Sequence, residues 1–502
     1  MRKWKLWLLS CFIATAAVAQ DPEVQTYGNT ITEEELKDNL SILASDALEG
    51  RETGKRGQKM AAAFIKAYFE ELGLQGPVDG DYYQNIELFT TSAGKSYVKV
   101  GDTRFNNFSD ITYYGNDDSS GEASAELVFA GDGSEEALKN VDIKDKAVLL
   151  VTGEDFPDND ELNALRNKGA KMIFISHSKT KAEFNVVSNQ VRALGGSREL
   201  TLKKPMDSNV IPGVFLVSPK MTENFFGATR EQLVKIKENG HKKNALRKIK
   251  PVEIKYLTTK GYQPVRSENV LGFLEGSDKK DEVLVITAHY DHVGKKEEGE
   301  GDLIHNGADD DGSGTVAVMQ IAKAFVQAKM EGKGPRRSIL FMLVTAEEKG
   351  LLGSLYYTQK PVFPLAQTVV NLNIDMIGRR DPQHRESAPY VYVIGADKLS
   401  STLNEVSEAT NKLYTNLVFD YTYNDVDHPD RLYYRSDHWN FAKNNIPVIF
   451  YFDGIHEDYH KPSDEIDKIE FDLLRKRTQC IFYTAWEIAN RDQRITPDKK
   501  GN

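Results

Sequence analysis

The sequence contains very little cysteine. Among its 502 residues only Cys11 and Cys480 are cysteines. At most one intrachain disulfide could form, which excludes a small extracellular domain stabilised by several disulfides. Cys480 lies in a helical pattern of apolar residues, where a single cysteine behaves as a small buried hydrophobic residue.

Long apolar runs and basic stretches are missing as well. Beyond the N-terminus no run reaches the roughly 18 apolar residues that a membrane-spanning helix needs. The formal net charge is −11, and acidic residues alternate with the lysines even in the Lys-rich stretch 231–250. The sequence therefore predicts neither a stable membrane span nor nucleic-acid binding. No pattern in it indicates an oligomeric state.

The first 19 residues have the pattern of an export signal. Three basic residues before position 6 precede the apolar stretch 6–14, and Ala-Val-Ala at 17–19 is a small-x-small cleavage site. We expect residues 1–19 to be removed and the protein to be exported to the periplasm, the surface or the exterior of a bacterium. The lipobox-like segment 8–11 leaves lipid attachment at Cys11 as an alternative.

The remaining chain changes character twice. Residues 21–95 contain two helical patterns, residues 96–259 contain short β-like runs with one clear helical pattern at 161–167, and residues 260–495 alternate apolar runs with helical patterns. This predicts an α/β fold, a three-layer sandwich around a mixed, largely parallel sheet, built from 21–95 and 260–495. The middle part is predicted to be an inserted β-rich domain. The strands predicted for the last part are 283–287, 339–345, 369–374, 390–394 and 448–452.

Residues of the kind that bind metals follow several of these strands. Eight of the ten histidines lie between His289 and His460. His289 follows the first predicted strand, Glu347 and Glu348 follow the second, and Asp375 follows the third. Because functional sites of open α/β sheets gather at the carboxyl ends of strands, we expect these side chains to meet.

Three adjacent carboxylates, Asp309–Asp311, precede Gly-Ser-Gly and a helix predicted at 314–328. Neighbouring carboxylates repel one another unless a cation or hydrogen-bond donors compensate them. We interpret Asp310 as a carboxylate that bridges two metal ions and Asp311 as the cap of the helix. The sequence thus offers a ligand set for a pair of zinc ions, which indicates metal-assisted hydrolysis. Its members are His289, Asp310, one of the two glutamates Glu347 and Glu348, Asp375 and His460.

Three further residues, Asp291, His292 and His305, are predicted to have a supporting role or none. Asp291 is predicted to accept a hydrogen bond from the ring nitrogen of His289 that does not face the metal, because such partners fix the orientation of the ring. His292 and His305 are interpreted as loop histidines outside the ligand set.

The neighbouring Glu347 and Glu348 are predicted to divide two tasks. Adjacent side chains at a strand end point in opposite directions. One carboxylate would bind metal, and the other would take a proton from an activated water and pass it to the leaving amine.

Five segments of the sequence resemble motifs of the di-zinc exopeptidases of metallopeptidase family 28. They are Ala288–His292, Gly307–Asp310, Ala346–Gly350, Asn373–Met376 and Tyr459–His460. The segment Ser45–Arg51 is also similar to the start of family members, and 96–259 resembles the protease-associated domain that is often inserted there. The resemblance implies the zinc-exopeptidase fold and an aminopeptidase that removes N-terminal residues from peptides.

The resemblance also implies two zinc ions per chain and a role for each matching position. Glu347 would be the general base and acid, Tyr459 would polarise the substrate carbonyl, and Asp291 would support the site from behind. The peptide bond after Asp310 would be cis. The implied metal ligands are Asp310 as the bridge, His289 and Asp375 for one ion, and Glu348 and His460 for the other.

Three alternatives stay open within this fold. A carboxypeptidase for acidic C-termini would use arginines such as Arg379, Arg380 and Arg435; a glutaminyl cyclase would hold one zinc; a non-catalytic binding member would have lost ligands, and none is missing. The run Ser436–His438 is not interpreted as a catalytic triad, because adjacent residues rarely reach triad geometry. Specificity is expected to come from loops such as 379–388 and 415–435.

Overall fold

The computed structural model describes residues 20–115, 119, 121–139, 141–153, 156–195, 200–202, 213–238, 246–425 and 427–499. The predicted export signal 1–19 lies outside these ranges. The chain divides into two compact units. One comprises the residues up to Ile86 together with those from Arg266 onward, and the other comprises Glu87–Val265.

The described residues form helices and strands along the whole chain. The helices are α1 Pro22–Gly28, α2 Glu33–Leu43, α3 Arg56–Glu71, α4 Glu135–Leu138, α5 Asn159–Asn167, α6 Lys181–Gly195, α7 Pro219–Phe226, α8 Arg230–Glu238, α9 Gly314–Met330, α10 Leu352–Gln359, α11 Ser401–Thr410, α12 His438–Ala442 and α13 Phe471–Asn490. The strands are β1 Tyr83–Val100, β2 Thr103–Asn106, β3 Ile111–Tyr114, β4 Ala123–Phe129, β5 Ala147–Val151, β6 Met172–Ser176, β7 Leu200–Thr201, β8 Val214–Val217, β9 Val252–Leu274, β10 Lys279–His289, β11 Arg337–Val344, β12 Thr368–Ile374, β13 Tyr390–Ile394, β14 Val418–Asp420 and β15 Val448–Phe452.

The first unit is built around one sheet with the strand order β14-β13-β15-β12-β10-β11-β9. Strands β11, β10, β12 and β15 run parallel to one another. Strand β13 is antiparallel to β15, and residues 270–274 of β9 are antiparallel to β11. The mixed, largely parallel sheet predicted from the apolar runs is therefore confirmed.

Helices cover both faces of this sheet. Along β10, Leu284 and Ile286 face a hydrophobic core shared with α2, α3, α9, α11 and α13. Val283 and Val285 face a second core shared with α10 and α12. This alternation follows from the pleat of a strand, which turns successive side chains to opposite faces. The three-layer sandwich predicted from the sequence is confirmed.

Several element bounds match the sequence predictions closely. The predicted strands 390–394 and 448–452 coincide with β13 and β15, and the helix predicted at 314–328 is α9. The long strands β1 and β9 were not predicted. Gly261 and Pro264 interrupt the pattern of β9, and both residue types weaken a strand assignment made from sequence alone.

The second unit also contains paired strands. Strands β4, β5, β6 and β8 are parallel in that order, and β3 is antiparallel to β8. The prediction of a β-rich domain with one clear helix was incomplete, because α6 and α7 accompany the predicted α5 and make this unit α/β. Helix α8 falls largely in the stretch 231–250, which was expected to be a solvated helix or a linker. A signal for α6 was present in Phe184, Val187 and Val191, whose spacing fits one helix face.

None of the helices in the described part of the chain combines the length and the apolar character that a membrane span requires.

A buried arginine fixes the loop that follows β10. Arg51 is almost completely buried and donates hydrogen bonds to the main-chain carbonyls of Leu43, Tyr290, Asn306 and Gly307 at 2.6–2.9 Å. These carbonyls belong to the end of α2 and to both ends of the loop 291–306. Arg51 therefore ties the start of the first unit to the segment that carries the predicted metal ligands.

We expect Arg51→Met to destabilise the first unit by at least about 3 kcal/mol, because four buried carbonyls lose their donor and each unsatisfied group costs about 1–3 kcal/mol. Beyond Trp4 and Trp7, the tryptophans of the chain are Trp439 and Trp486, both in the first unit. Tryptophan fluorescence during urea unfolding therefore reports on this unit.

The matched control is Arg56→Met, at the exposed first residue of α3. We expect it to change the free energy of unfolding by no more than about 0.5 kcal/mol. Equal effects of the two substitutions would contradict the anchoring role of Arg51.

Candidate metal centre

The residues predicted as metal ligands meet at the carboxyl ends of the parallel strands of the first unit. His289 is the last residue of β10, Glu347 and Glu348 lie in the turn after β11, and Asp375 directly follows β12. Asp310 lies in the helical turn Ala308–Ser313 that leads into α9. The neighbouring strands thus present side chains from distant parts of the sequence to one place.

The first group of possible ligands comprises His289, Glu347 and Asp375, whose ligand atoms lie within 4.8 Å of one another. Nε2 of His289 lies 3.5 Å from Oδ1 of Asp375 and 3.9 Å from Oε2 of Glu347. The same nitrogen lies 3.3 Å from Oδ1 of Asp310. One imidazole therefore faces three carboxylates.

The second group of possible ligands comprises His292, Asp310 and Glu348, and His460 lies beside its two carboxylates. Nε2 of His460 lies 3.1 Å from Oδ2 of Asp310 and 3.1 Å from Oε2 of Glu348. Nδ1 of His292 lies 2.9 Å from Oε1 of Glu348 and 3.8 Å from Oδ2 of Asp310. Because the two oxygens of Asp310 face His289 and His460 respectively, this carboxylate lies between the two groups.

The spacing of these atoms fits the coordination of divalent cations. Four ligand atoms placed tetrahedrally at about 2.0–2.2 Å from an ion are about 3.4 Å apart. Oδ2 of Asp310, Oε1 of Glu348 and both ring nitrogens of His292 are buried and have no hydrogen-bond partner among the described residues. Buried charged groups without partners are costly, so the donors present fit a pair of metal ions.

The two adjacent glutamates differ in their affinity for a proton. Burial raises the pKa of the Glu347 carboxyl well above its ordinary value; His289 opposes this shift and the charge of Asp375 adds to it. Burial and the charge of Asp310 also raise the pKa of Glu348. Its contacts with His292 and His460 outweigh them and lower this pKa to about 2. Glu347 is thus suited to proton transfer and Glu348 to binding a cation.

The carboxylate of Asp311 bonds to backbone N–H groups and belongs to neither group of possible ligands. Its carboxylate accepts hydrogen bonds from the backbone N–H of Gly314, His289 and Met376 at 2.9–3.2 Å. The bond from Gly314 caps the start of α9, as predicted. The peptide bond that precedes Asp311 is cis, which was also predicted.

Asp309 likewise lies outside the two groups. Its carboxylate accepts the N–H of Gly378 at 2.7 Å and lies 3.2 Å from Nε2 of His456. The carboxylate of Asp464 accepts the backbone N–H of both Asp309 and Asp310 at 3.1–3.2 Å. These bonds hold the turn before α9 in the conformation that directs Asp310 towards the histidines.

The predicted hydrogen bond from His289 to the Asp291 carboxylate was wrong. Nδ1 of His289 contacts the main-chain oxygen of Asp291 at 3.0 Å, whereas the carboxylate Oδ1 is 3.9 Å away. The carboxylate instead accepts hydrogen bonds from the Thr53 hydroxyl and the Glu347 N–H. Asp291 therefore supports the centre from behind by fixing the turn that carries Glu347.

His292 belongs to the second group of possible ligands, although it was predicted to lie outside the ligand set. It was predicted to be a loop histidine, yet its ring is fully buried against Glu348. The sequence feature that could have indicated its position near the ligands is its spacing of three residues from His289, directly after an apolar strand. His305, the other predicted loop histidine, is a member of neither group.

Ser436 orients one of the predicted ligands. Its hydroxyl donates to Oδ2 of Asp375 at 2.7 Å, and the Asn373 side chain donates to the Ser436 hydroxyl at 2.9 Å. His438 contacts the main-chain oxygen of Tyr433 through Nε2 at 2.8 Å. Ser436 and His438 thus have separate partners, which agrees with the prediction that this run is not a catalytic triad.

A pocket beside the first group joins these polar residues to an apolar wall. Tyr459 stacks on His460 with ring centroids 3.9 Å apart. Burial raises the pKa of its phenol, and the charges of Asp310 and Glu348 add to this shift, so the hydroxyl stays a hydrogen-bond donor. The pocket is lined by His289, Asp310, Glu347, Asp375, Met376, Leu432, Arg435, Phe450, Phe452, Ile455 and Tyr459.

The part of the chain that carries these residues matches the model of a known protein family. The model of peptidase family M28 matches residues 269–485, which include all the predicted metal ligands. The chain carries a peptidase family M28 domain. The family resemblance drawn from the five sequence segments is therefore confirmed.

Individual proteins similar to this chain include Aminopeptidase YwaD of Bacillus subtilis (strain 168), 26% identical over 252 residues, which are 49% of this chain and 50% of the relative. A probable zinc metalloprotease of Pyrenophora tritici-repentis is 27% identical over 263 residues, 45% of this chain and 52% of that protein. The chain spans about half the length of these curated relatives. Among solved structures, BSAP, a zinc aminopeptidase from Bacillus subtilis, aligns over 94% of this chain and 99% of its own at 20% identity and a TM-score of 0.48.

We expect Ser436→Ala to weaken metal binding at the first group by about 10–100-fold, because partners that orient metal ligands typically contribute this much. The measurement is a competitive titration of the metal-loaded protein with a chelator. Ser41→Ala is the control, because Ser41 is exposed and bonds only to its own helix at Lys37. An unchanged affinity in Ser436→Ala would show that Asp375 needs no such support.

Proposed function

We propose that this chain is a zinc-dependent exopeptidase, an aminopeptidase that hydrolyses the N-terminal residue from peptides. The observation that carries the proposal is the position of Asp310, whose two oxygens lie 3.3 Å from His289 and 3.1 Å from His460. One carboxylate between two groups of donors suits a pair of metal ions. The names of the curated relatives, an aminopeptidase and a probable zinc metalloprotease, support the same activity.

Each chain would hold two zinc ions. Asp310 would bridge them, His289 and Asp375 would bind one, and Glu348 and His460 would bind the other. Zinc, when bound, lowers the pKa of water to near neutrality and polarises carbonyl groups.

Glu347 and Tyr459 would carry the remaining chemistry. Glu347 lies in the first group beside His289, and burial raises its pKa, so its carboxylate would accept a proton from the attacking water and return it to the leaving amine. The Tyr459 hydroxyl, a protonated donor at the edge of the pocket, would donate a hydrogen bond to the carbonyl oxygen as negative charge develops there.

The arginines bear on which end of a peptide the pocket would hold. A carboxypeptidase would need cations for the terminal carboxylate. Arg379 is bound to Asp458 at 2.8 Å and Arg380 to Glu470 at 2.9 Å, so both are committed to neighbours. Of the three arginines considered, Arg435 alone lines the pocket. Arg435 could still meet a terminal carboxylate, so the carboxypeptidase stays the second candidate.

We also propose the domain organisation and the location that the sequence predicts. Residues 1–19 would direct export and then be removed, so the enzyme would act on peptides in the periplasm, at the surface or outside the cell of a bacterium. The second unit, Glu87–Val265, would be a protease-associated domain; its compactness and its insertion between two parts of the peptidase unit support this.

We expect Glu347→Gln to retain both metal ions and to lose about 10²–10⁴-fold in kcat, because a positioned general base typically contributes this much. The neighbouring Glu348→Gln is the matched control, and it should lose metal because Glu348 faces His460. Metal content by elemental analysis and turnover of a peptide substrate are measured together. Near-normal turnover of Glu347→Gln would remove this residue from the mechanism.

A pair of peptides distinguishes the two ends of the substrate. We expect the metal-loaded protein to release the first residue of a peptide with a free N-terminus and to leave the N-acetylated peptide intact. Mass spectrometry identifies the residue released. Shortening of the acetylated peptide from its C-terminus would favour the carboxypeptidase, and a metal content of one zinc per chain would favour the cyclase.

A further inference from the structure

We infer that a cavity in the second unit binds a small zwitterion, a free α-amino acid with a large apolar side chain. The cavity has a volume of about 520 Å³, which lies within the roughly 300–1,000 Å³ typical of sites for small molecules. All of its lining residues belong to the second unit. The inference goes beyond the proposed function and does not depend on it, because no residue of the metal centre takes part.

The cavity lies where two parallel strands end. Asp132 and Gly133 follow β4, and Thr152 follows β5, which runs parallel to β4. Ligands of open α/β sheets bind in the crevice outside the carboxyl ends of the strands. Gly133 has a φ of +81°, and a Cβ there would lie 3.2 Å from Cδ2 of Leu150, another lining residue. A side chain at this position would therefore be strained and would crowd the wall of the cavity.

Apolar side chains form part of the lining. Leu150 and Leu165 are almost completely buried, whereas Phe156 keeps 44% of its surface exposed. The ring of Phe156 meets the ring of His177 edge-on, with centroids 5.8 Å apart. An apolar group of a ligand that covered Phe156 would remove apolar surface from water, which is favourable. The cavity therefore offers a contact surface for a large apolar side chain.

Five charged side chains also line the cavity, and three of them are engaged by neighbours in the second unit. Oε2 of Glu161 accepts the backbone N–H of Asp158 at 3.0 Å, as part of the cap at the start of α5. Nζ of Lys168 lies 3.9 Å from Oε1 of Glu135. These three charges are therefore already met by the protein.

The other two charged groups, Asp132 and Lys237, have opposite signs and do not contact each other. Burial raises the pKa of the Asp132 carboxyl, but hydrogen bonds from Ser134 and the charge of Lys237 outweigh this and lower it. Among the described residues neither Asp132 nor Lys237 forms an ion pair. A carboxylate and an ammonium that attract each other across a gap are complementary to a ligand with one group of each sign close together. An α-amino acid carries both groups on one carbon atom.

Ligands with a single charge fit these two groups less well. A fatty acid would bring its carboxylate towards Asp132, and an apolar amine would bring its ammonium towards Lys237. Like charges brought together at a binding site cost affinity. A zwitterion meets both groups with the opposite sign, and its apolar side chain can cover Phe156.

The test measures the binding of three ligands to the metal-loaded full chain by isothermal titration calorimetry. They are L-phenylalanine, N-acetyl-L-phenylalanine, which lacks the ammonium, and L-phenylalaninol, which lacks the carboxylate. We expect the wild type to bind L-phenylalanine at least about 5-fold more tightly than either analogue. A factor of about 5 corresponds to the strongest exposed ion pairs, and charged hydrogen bonds within a cavity contribute more.

Substitutions in the cavity identify which group meets which charge. Asp132→Asn should weaken the binding of L-phenylalanine by the same factor and leave that of the N-acetyl analogue unchanged. Lys237→Met should weaken L-phenylalanine and leave L-phenylalaninol unchanged. Phe156→Ala should weaken all three ligands. The matched control is Tyr114→Ala, because Tyr114 is an aromatic residue of the same unit that is also 44% exposed and does not line the cavity.

Binding of L-phenylalanine at the metal centre would be insensitive to all of these substitutions. Unchanged affinity for L-phenylalanine in both Asp132→Asn and Lys237→Met would therefore overturn the inference. Absence of binding by the wild type at about 10 mM L-phenylalanine, a concentration that fills millimolar sites, would overturn it too. A chain that binds L-phenylalanine in this cavity but cleaves no peptide would contradict the proposed function and leave the inference intact.

Discussion

The centre depends on the compensation of buried carboxylates at one edge of the sheet. Asp309–Asp311, Glu348 and Asp464 are all buried or nearly so within one small region of the first unit. Like charges this close repel one another, and burial removes the water that would screen them. The negative charges of these carboxylates are compensated in two different ways. One way is found for the acids that support the turn, and the other for the acids predicted to bind metal.

One set of acids is compensated by the protein itself. Asp311 accepts three backbone N–H groups and Asp464 accepts two, so their charges are met by fixed dipoles. The other set, Asp310 and Glu348, faces imidazole nitrogens without hydrogen bonds at Oδ2 and Oε1. The first set shapes the turn before α9, and because that turn is fixed, Asp310 of the second set lies between two histidines. A change to a supporting acid would therefore act on metal binding through the position of Asp310.

Much of this arrangement follows from local sequence patterns, and the exceptions have physical causes. The apolar runs predicted the parallel strands because strands buried on both faces need no polar positions, and strand ends then predicted where His289, Glu348 and Asp375 would lie. The role of Asp291 was not predictable from sequence. Nδ1 of His289 contacts the main-chain oxygen of Asp291 instead of its carboxylate, and every residue type has such an oxygen. The burial of His292 was not predictable, because it depends on Gly307 and Arg51, which come from distant parts of the chain.

Glu347 and Glu348 show how far residue type alone determines a role. The two side chains are chemically identical and adjacent, yet Glu347 shares a group with one imidazole while Glu348 contacts two. The turn begins with Ala346 at a φ of +56°, and the Asp291 carboxylate holds the Glu347 N–H, so the two side chains are directed to different groups. Near two imidazoles a carboxylate stays charged and suits a cation; near one imidazole and another carboxylate it exchanges a proton more readily. In the proposed mechanism, proton transfer and metal binding would thus be separated by a single peptide unit, and the backbone of that turn, more than the identity of either glutamate, would determine which side chain does which.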